Sequence, residues 1–181
     1  MKLLLASVSP RRKELLSHLR QFEIEPSRFD ETAAGSAEEA VLFNARGKAQ
    51  EVFSRFPDCQ VLGADTVVAL DGQILGKPKD ADDAKRMLRL LSGRVHSVFT
   101  GVCLIDRYGA LERVVETKVL FKTLSEKLIE EYVLSGTPLD KAGAYGIQDG
   151  IVVASYEGSY SNVMGLPLEA LEEMLNTKER V

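Results

Sequence analysis

The chain has 181 residues, of which 45% are hydrophobic and 28% charged, and its formal net charge at pH 7 is −4. A chain of this length and composition is typical of one globular domain that buries roughly 70% of its unfolded surface, and we predict a single domain over residues 1–181. The acidic balance argues against a nucleic-acid partner. Without a signal peptide or membrane-spanning apolar segment, we expect a cytoplasmic protein with no membrane partner.

The chain opens with an apolar strand that runs into a helix start. Leu3–Ser7 is predicted to be a buried strand, and Ser9-Pro10 is a pair favoured where the helix predicted over Arg11–Leu19 begins. The free N–H groups of a helix start, with the guanidinium groups of Arg11 and Arg12, suit a bound phosphate. A capped surface helix with two solvated arginines is the alternative.

The next elements alternate between strand and helix. We predict a short strand at Phe22–Glu25 and a long helix over Ala37–Phe53. Val61–Leu70 and Gln73–Leu75 are apolar runs separated by Asp71-Gly72, a dipeptide typical of a tight hairpin turn.

The second half of the chain continues this alternation. In order, the periodicity predicts a helix over Asp82–Leu91, strands over Val95–Ile105 and Leu111–Phe121, a helix from Ser125 to Leu134, a strand over Ile151–Ser155 and a closing helix over Pro167–Leu175. Asp140–Gly150 is predicted to be a polar loop and therefore a candidate site. The order of elements predicts an α/β fold with a mixed sheet and flanking helices.

Three polar clusters could carry chemistry. Asp65 lies within an apolar strand pattern, where a carboxylate is costly unless it is paired or bound to a cation, so it is a candidate for catalysis or metal binding. Backbone donors could also hold it in a purely structural role. Asp30-Glu31 is either a functional acidic pair or a solvated turn. Lys77 in Gly76-Lys77-Pro78, which is not a P-loop, is either a phosphate ligand or a surface lysine.

Taken in order, these clusters resemble the Maf family of nucleoside triphosphate pyrophosphatases. The resemblance covers nearly the whole chain, and so many matching segments in the right order are specific, although one alone would be weak. The segments are Ser7–Arg12, Asp30-Glu31, Lys48-Ala49, Gly63–Val68, Gly76–Pro78, Leu91–His96, Thr100–Val102, Asp140–Gln148 and Ser161–Pro167.

The resemblance implies a reaction, a cofactor and a fold. The reaction is cleavage of a nucleoside triphosphate to the monophosphate and pyrophosphate, assisted by a divalent cation, Mg²⁺ or Mn²⁺. The fold is of the Maf/ITPase-like α/β type, a mixed twisted sheet with flanking helices that forms two lobes around a central cleft. A homodimer is the common assembly.

The resemblance also assigns roles to residues. Positions that match the family's phosphate- and substrate-binding residues are Ser7, Arg11, Arg12, Lys48 and Lys77, with Gln148 at a position tied to substrate choice. The expected catalytic set is Asp65, Glu31 and Lys77, and the two carboxylates are the expected metal ligands; the sequence does not separate Asp65 as base from Asp65 as ligand. Asp149 departs from the family, which more often has glycine there, and it adds a negative charge near the cleft.

We therefore predict a metal-dependent pyrophosphatase of the branch that acts on dTTP and UTP, including modified pyrimidine triphosphates. One alternative is a nucleotide-binding regulator of septum formation without turnover. The other is a nucleic-acid-binding protein that uses the same arginines on backbone phosphates, which the acidic balance and the lack of an aromatic platform disfavour.

Overall fold

The computed structural model describes residues 1–32 and 34–179. In this part of the chain, a mixed sheet of seven strands is flanked by six α-helices. The strands are β1 (Leu3–Leu5), β2 (Glu23–Ile24), β3 (Gln60–Leu70), β4 (Gln73–Leu75), β5 (Val95–Asp106), β6 (Gly109–Phe121) and β7 (Val153–Glu157). The helices are α1 (Pro10–Ser17), α2 (Ala37–Arg55), α3 (Ala81–Leu91), α4 (Glu126–Leu134), α5 (Tyr160–Met164) and α6 (Leu168–Glu179). None of the described helices is both long enough and apolar enough to cross a bilayer.

Local sequence signals set several of these boundaries as predicted. The Ser9 hydroxyl caps α1 by accepting a hydrogen bond from the backbone N–H of Arg12 at 3.5 Å, and Pro10 is the first residue of the helix. The β3–β4 hairpin turns at Asp71 and Gly72, whose φ angles of 50° and 78° are both left-handed. Asp-Gly is favoured there because both residues adopt this conformation at low cost.

Two features of the last third of the chain are absent from the prediction. Asp140–Gly150 is not a featureless loop, because it includes short 3₁₀ turns at Ala142–Ala144 and Ile147–Asp149, and Asp140 ends a third that begins at Thr137. The helix α5 is absent from the prediction, since five residues are too few for a helical period to show in the sequence.

One edge of β3 is paired with two different strands, which leave a gap between them. The strand order is β2-β1-β3-β5-β6-β7, and β1 runs parallel to β3 as far as the pair Leu5 and Leu62. The antiparallel strand β4 takes over the same edge only from Val68 onward, opposite Leu75. The stretch of β3 between these pairings, which contains Asp65, therefore lies at a gap between two neighbouring strands.

Hydrophobic clusters lie at the two ends of the long strands. One includes Leu5, Leu16 and Leu62 and packs α1 and α6 against the sheet. Another includes Leu75 and Leu88 and packs α3, α4 and the 142–145 segment near the hairpin. The gap in β3 lies between them, so the two lobes around a central cleft that the sequence predicts are present.

Two glycines bring α2 close to the sheet at this gap. A Cβ added at Gly63 would lie 2.2 Å from the carbonyl oxygen of Ala45, and one added at Gly101 would lie 2.5 Å from that of Val41. Gly101 pairs directly with Asp65 across the β3–β5 ladder. The missing side chains therefore allow the backbone of α2 to lie directly over the strand that carries Asp65.

We predict that Gly101→Ala lowers the free energy of unfolding by about 1–3 kcal/mol, because the methyl group would overlap the backbone of α2. Urea unfolding measures this loss. The matched control is Gly76→Ala, whose added Cβ meets nothing within 4 Å and should change stability by less than about 0.5 kcal/mol. Equal stability of the two variants would contradict the close approach of α2.

Candidate active site

The gap in the sheet opens into a cleft of about 420 Å³, a volume within the range of small-ligand sites. Its walls come from the start of α1, the middle of β3, the hairpin, α2 and the 141–148 segment. Its lining holds five cationic and two anionic side chains, although the whole chain is acidic. These side chains are Arg11, Arg12, Lys48, Lys77 and Lys141 against Glu31 and Asp65.

Asp65 is the buried centre of this cleft, with 7% of its surface exposed. Its Oδ1 accepts a hydrogen bond from Lys48 Nζ at 3.0 Å, and its Oδ2 accepts one from Asn44 Nδ2 at 2.7 Å. Lys48 is equally buried and also donates to the backbone oxygen of Ala64 at 3.2 Å. A buried carboxylate is tolerated when it is paired and hydrogen-bonded in this way. The partners that a buried carboxylate requires are therefore Lys48 and Asn44.

Glu31 lies on the other side of the same ammonium group. Lys48 Nζ is 2.7 Å from Glu31 Oε1, so the lysine bridges the two carboxylates. Burial acts to raise the pKa of Glu31, but the hydrogen bond and charge of Lys48, with the charges of Arg12 and Lys77, together lower it. Glu31 is therefore ion-paired with Lys48, although 58% of its side chain remains exposed.

Three hydrogen bonds hold the guanidinium group of Arg12 in place. Its Nε donates to the oxygen of Gly165 at 2.8 Å, its Nη2 to Thr66 Oγ1 at 3.1 Å, and its Nη1 to Ser7 Oγ at 3.4 Å. Burial lowers the pKa of Arg12, and the charges of Asp65 and Glu31 oppose that effect. Ser7 thus contacts Arg12 and does not itself line the cleft.

Arg11 and Lys77 are the more accessible cations. Arg11 is half-buried, and its Nη1 donates to Asp140 Oδ2 at 3.1 Å. Lys77 is exposed directly after β4, where the preceding Gly76 accepts a backbone hydrogen bond from Gly143 at 3.1 Å. Both side chains therefore have N–H groups that can turn toward an anion in the cleft.

The 141–148 segment forms the wall that carries Gln148. Its Tyr145 hydroxyl is hydrogen-bonded to His96 Nε2 at 2.8 Å, and the ring of His96 also packs against Phe121. Burial lowers the pKa of His96 to about 4, so this contact involves a neutral imidazole at pH 7. Gln148 is exposed and lines the cleft, as a residue that meets a ligand must.

Asn44 and Lys141 are cleft residues to which the sequence analysis gives no role. Asn44 precedes Lys48 by one helical turn on a face of α2 that is otherwise formed by small apolar residues, and this i,i+4 spacing is the signal that could have found it. Its amide also donates to Thr32 O at 2.8 Å, which fixes the loop beside Glu31. Lys141 is buried and bonds Asp140 at 2.9 Å, but a polar loop gives no pattern from which that burial follows.

The acidic residues of the cleft fit a cation that the protein shares with its ligand. Within residues 1–32 and 34–179, no group of three or more His, Cys, Asp or Glu side chains is placed to hold a metal ion alone. Asp65 and Glu31 supply two carboxylates, which Lys48 Nζ bridges at 3.0 and 2.7 Å. Protein-bound Mg²⁺ commonly has one or two carboxylate ligands and completes its shell with water and substrate phosphates. The donor set therefore suits Mg²⁺ or Mn²⁺ bound together with a phosphate.

Comparisons with known proteins find one matching family and several similar, named proteins. The profile of the family described as Maf-like protein matches residues 2–178. Three relatives are each named dTTP/UTP pyrophosphatase. The protein of Myxococcus xanthus is 53% identical over 92% of this chain and 87% of its own. That of Salmonella typhimurium is 50% identical over 96% and 91%, and that of Thermococcus gammatolerans is 49% identical over 93% and 92%.

A solved structure supports the fold. The Ham1 protein of Staphylococcus aureus is similar with a TM-score of 0.55, covering 98% of this chain and all of its own, at 15% sequence identity. At that identity the likeness concerns the arrangement of strands and helices alone. It agrees with the ITPase-like architecture that the sequence predicts.

We predict that Lys48→Met lowers the free energy of unfolding by about 3–5 kcal/mol, because it leaves the buried Asp65 carboxylate without its cation. Adding Asp65→Asn to this variant should recover part of the loss, since the charge that lacks a partner is then gone. Urea unfolding at pH 7 measures both changes.

The control for Lys48→Met is Arg89→Met. Arg89 pairs with Glu126 at 2.8 Å on the exposed surface, and such pairs contribute less than about 1 kcal/mol. Similar losses for Lys48→Met and Arg89→Met, or no recovery on adding Asp65→Asn, would show that the buried pair does not carry the stability assigned to it.

Proposed function

The chain belongs to the Maf family, and on that premise we propose that it hydrolyses dTTP and UTP to the nucleoside monophosphate and pyrophosphate. The observation that carries this function is the excess of positive side chains around a buried carboxylate in an otherwise acidic protein. A triphosphate tail brings several negative charges, and a cleft of this kind compensates for them locally. A base-binding wall at Gln148 completes a site for a nucleotide.

The cationic side chains of the cleft are assigned to different phosphates of the triphosphate. Arg12 enters the site already fixed by its contacts with Gly165, Thr66 and Ser7, so little side-chain freedom is lost when its remaining N–H groups bind phosphate. Arg11 and Lys77 are freer, and we assign them to the outer phosphates, which become the leaving pyrophosphate. Lys77 thereby neutralises charge that develops as the bond to this group breaks.

Asp65 is the residue that we assign to the attacking water. Lys48 and Asn44 each occupy one hydrogen-bonding position on its two oxygens, and a carboxylate oxygen can accept a second bond. A water bound there can attack the α-phosphorus while its proton passes toward the carboxylate. The new bond joins the water oxygen to the α-phosphorus, and the bond from that phosphorus to the bridging oxygen of pyrophosphate breaks.

A divalent cation, Mg²⁺ or Mn²⁺, belongs to this proposal as a cofactor. Asp65 and Glu31 are the protein groups that would hold it, next to the phosphates that complete its shell. When bound, the cation would neutralise negative charge on the phosphoryl oxygens. Lys48 keeps the two carboxylates together beforehand, so that their mutual repulsion does not open the site.

The nucleobase contact falls to Gln148, the one residue of the assigned set on the wall formed by the 141–148 segment. Its side-chain amide offers both a donor and an acceptor, and a uracil or thymine edge presents the complementary groups. Modified pyrimidine triphosphates that keep this edge are included among the proposed substrates. The homodimer and the cytoplasmic location stay predictions.

A panel of nucleoside triphosphates tests the proposed function. With Mg²⁺ or Mn²⁺ present, we expect pyrophosphate release with a kcat/KM for dTTP and UTP at least about tenfold above that for ATP and GTP. Removing the metal with EDTA should abolish turnover, and adding Mg²⁺ or Mn²⁺ should restore it. In ¹⁸O-labelled water, the label should appear in the monophosphate, because the water attacks the α-phosphorus.

Each part of this assay has a result that would contradict the proposal. If no triphosphate released pyrophosphate, the proposal that the protein is an enzyme would be overturned. Binding of a nucleotide without hydrolysis would support a nucleotide-binding regulator instead. Release from purine nucleotides alone would overturn the pyrimidine preference. Label found in the pyrophosphate would place the attack at a different phosphorus from the one assigned.

A further inference from the structure

Tyr132 of α4 anchors the far end of the segment that carries Gln148. Its side chain is buried, and its hydroxyl accepts a hydrogen bond from the backbone N–H of Gly146 at 3.1 Å. The same hydroxyl donates to Asp149 Oδ2. Burial raises the pKa of Tyr132, so the hydroxyl keeps the proton that this bond requires. Tyr132 therefore ties both ends of the Gly146–Asp149 turn to α4.

Gln148 lies within this tied turn. The backbone N–H of Asp149 donates to Gly146 O at 3.2 Å, which closes the 3₁₀ turn. The turn is also tightly packed, because a Cβ added at Gly146 would lie 2.9 Å from both Asp149 Oδ2 and Gln148 Nε2. The side chains of Gln148 and Asp149 therefore pack over the same glycine, and Gly146 and Gln148 both line the cleft.

The carboxylate of Asp149 has a defined partner. The charge of Asp149 would oppose a bound triphosphate if the residue faced the cleft. It is half-buried instead and accepts the hydrogen bond from Tyr132 on α4. A side-chain hydrogen bond between Asp149 and Tyr132 therefore helps to hold the turn on α4.

We propose that Tyr132 and Asp149 are positioning residues for the choice of nucleobase, because their hydrogen bond holds the turn that presents Gln148 to the base. This inference rests on the proposed function, since it requires a pyrimidine triphosphate in the cleft. It concerns neither the phosphates nor the attacking water.

The position of Gln148 matters because its amide is not selective by itself. Thymine and uracil present a carbonyl acceptor where cytosine presents an amino donor, and a glutamine amide can turn to pair with either. Discrimination therefore depends on how firmly the backbone beneath Gln148 is held. Release of the turn from α4 should let Gln148 adapt to cytosine and weaken its contact with thymine.

The test is the ratio of kcat/KM for dTTP to that for CTP. Tyr132→Phe and Asp149→Ala should each lower this ratio about tenfold, mainly through a higher KM for dTTP, and Gln148→Ala should lower it at least as much. Asp149→Asn keeps an oxygen that accepts the hydrogen bond of Tyr132, so it should restore most of the selectivity that Asp149→Ala loses.

Met174→Ala separates positioning from a general loss of stability. Met174 is buried in the cluster of α6, away from the turn, so this variant should lose stability and keep the dTTP-to-CTP ratio. The proposal is overturned if Tyr132→Phe and Asp149→Ala keep the ratio of the unsubstituted protein, or if Gln148→Ala keeps it. Failure of the proposed function is a separate result, in which the unsubstituted protein hydrolyses no dTTP.

Discussion

The buried ion pair between Asp65 and Lys48 is the constraint on which the rest of the site depends. A carboxylate in the middle of an apolar strand is tolerated when it is paired and hydrogen-bonded, and Lys48 reaches it at 3.0 Å from α2. That contact requires α2 to lie almost on the sheet, which the absent side chains of Gly63 and Gly101 allow. The pair thus joins the packing of α2 to the strand that carries the carboxylate to which we assign the reaction.

The gap in the sheet explains why this costly carboxylate can also be useful. Between the end of β1 and the start of β4, none of the described strands pairs with the middle of β3 on this edge, and a ligand can approach Asp65 there. The cations of α1 and of the hairpin lie on either side of that gap. The phosphate binding and the water positioning that we propose would therefore follow from how β1 and β4 share one edge of β3.

The sequence predicted the parts of this arrangement that depend on local patterns. Ser9 and Pro10 mark the start of α1, and Asp71-Gly72 marks the hairpin. Asp65 is recognisable as a charged residue within an apolar run. The partners of Asp65 are different, because Asn44 and Lys48 reach it only through the packing of α2 on β3. Neither the burial of Lys141 nor the bond between Tyr132 and Asp149 has a local signal, since each depends on contacts between distant segments.

Kinetics of Asp65→Asn test the central claim most directly. Asparagine keeps the shape and loses the charge, and Lys48 keeps Glu31 as a partner, so we expect a folded protein. The account predicts that kcat for dTTP in the presence of Mg²⁺ falls at least about a hundredfold, while the affinity for the nucleotide measured without metal does not weaken. A kcat within about threefold of that of the unsubstituted protein would contradict it, because the reaction would then not depend on the buried carboxylate.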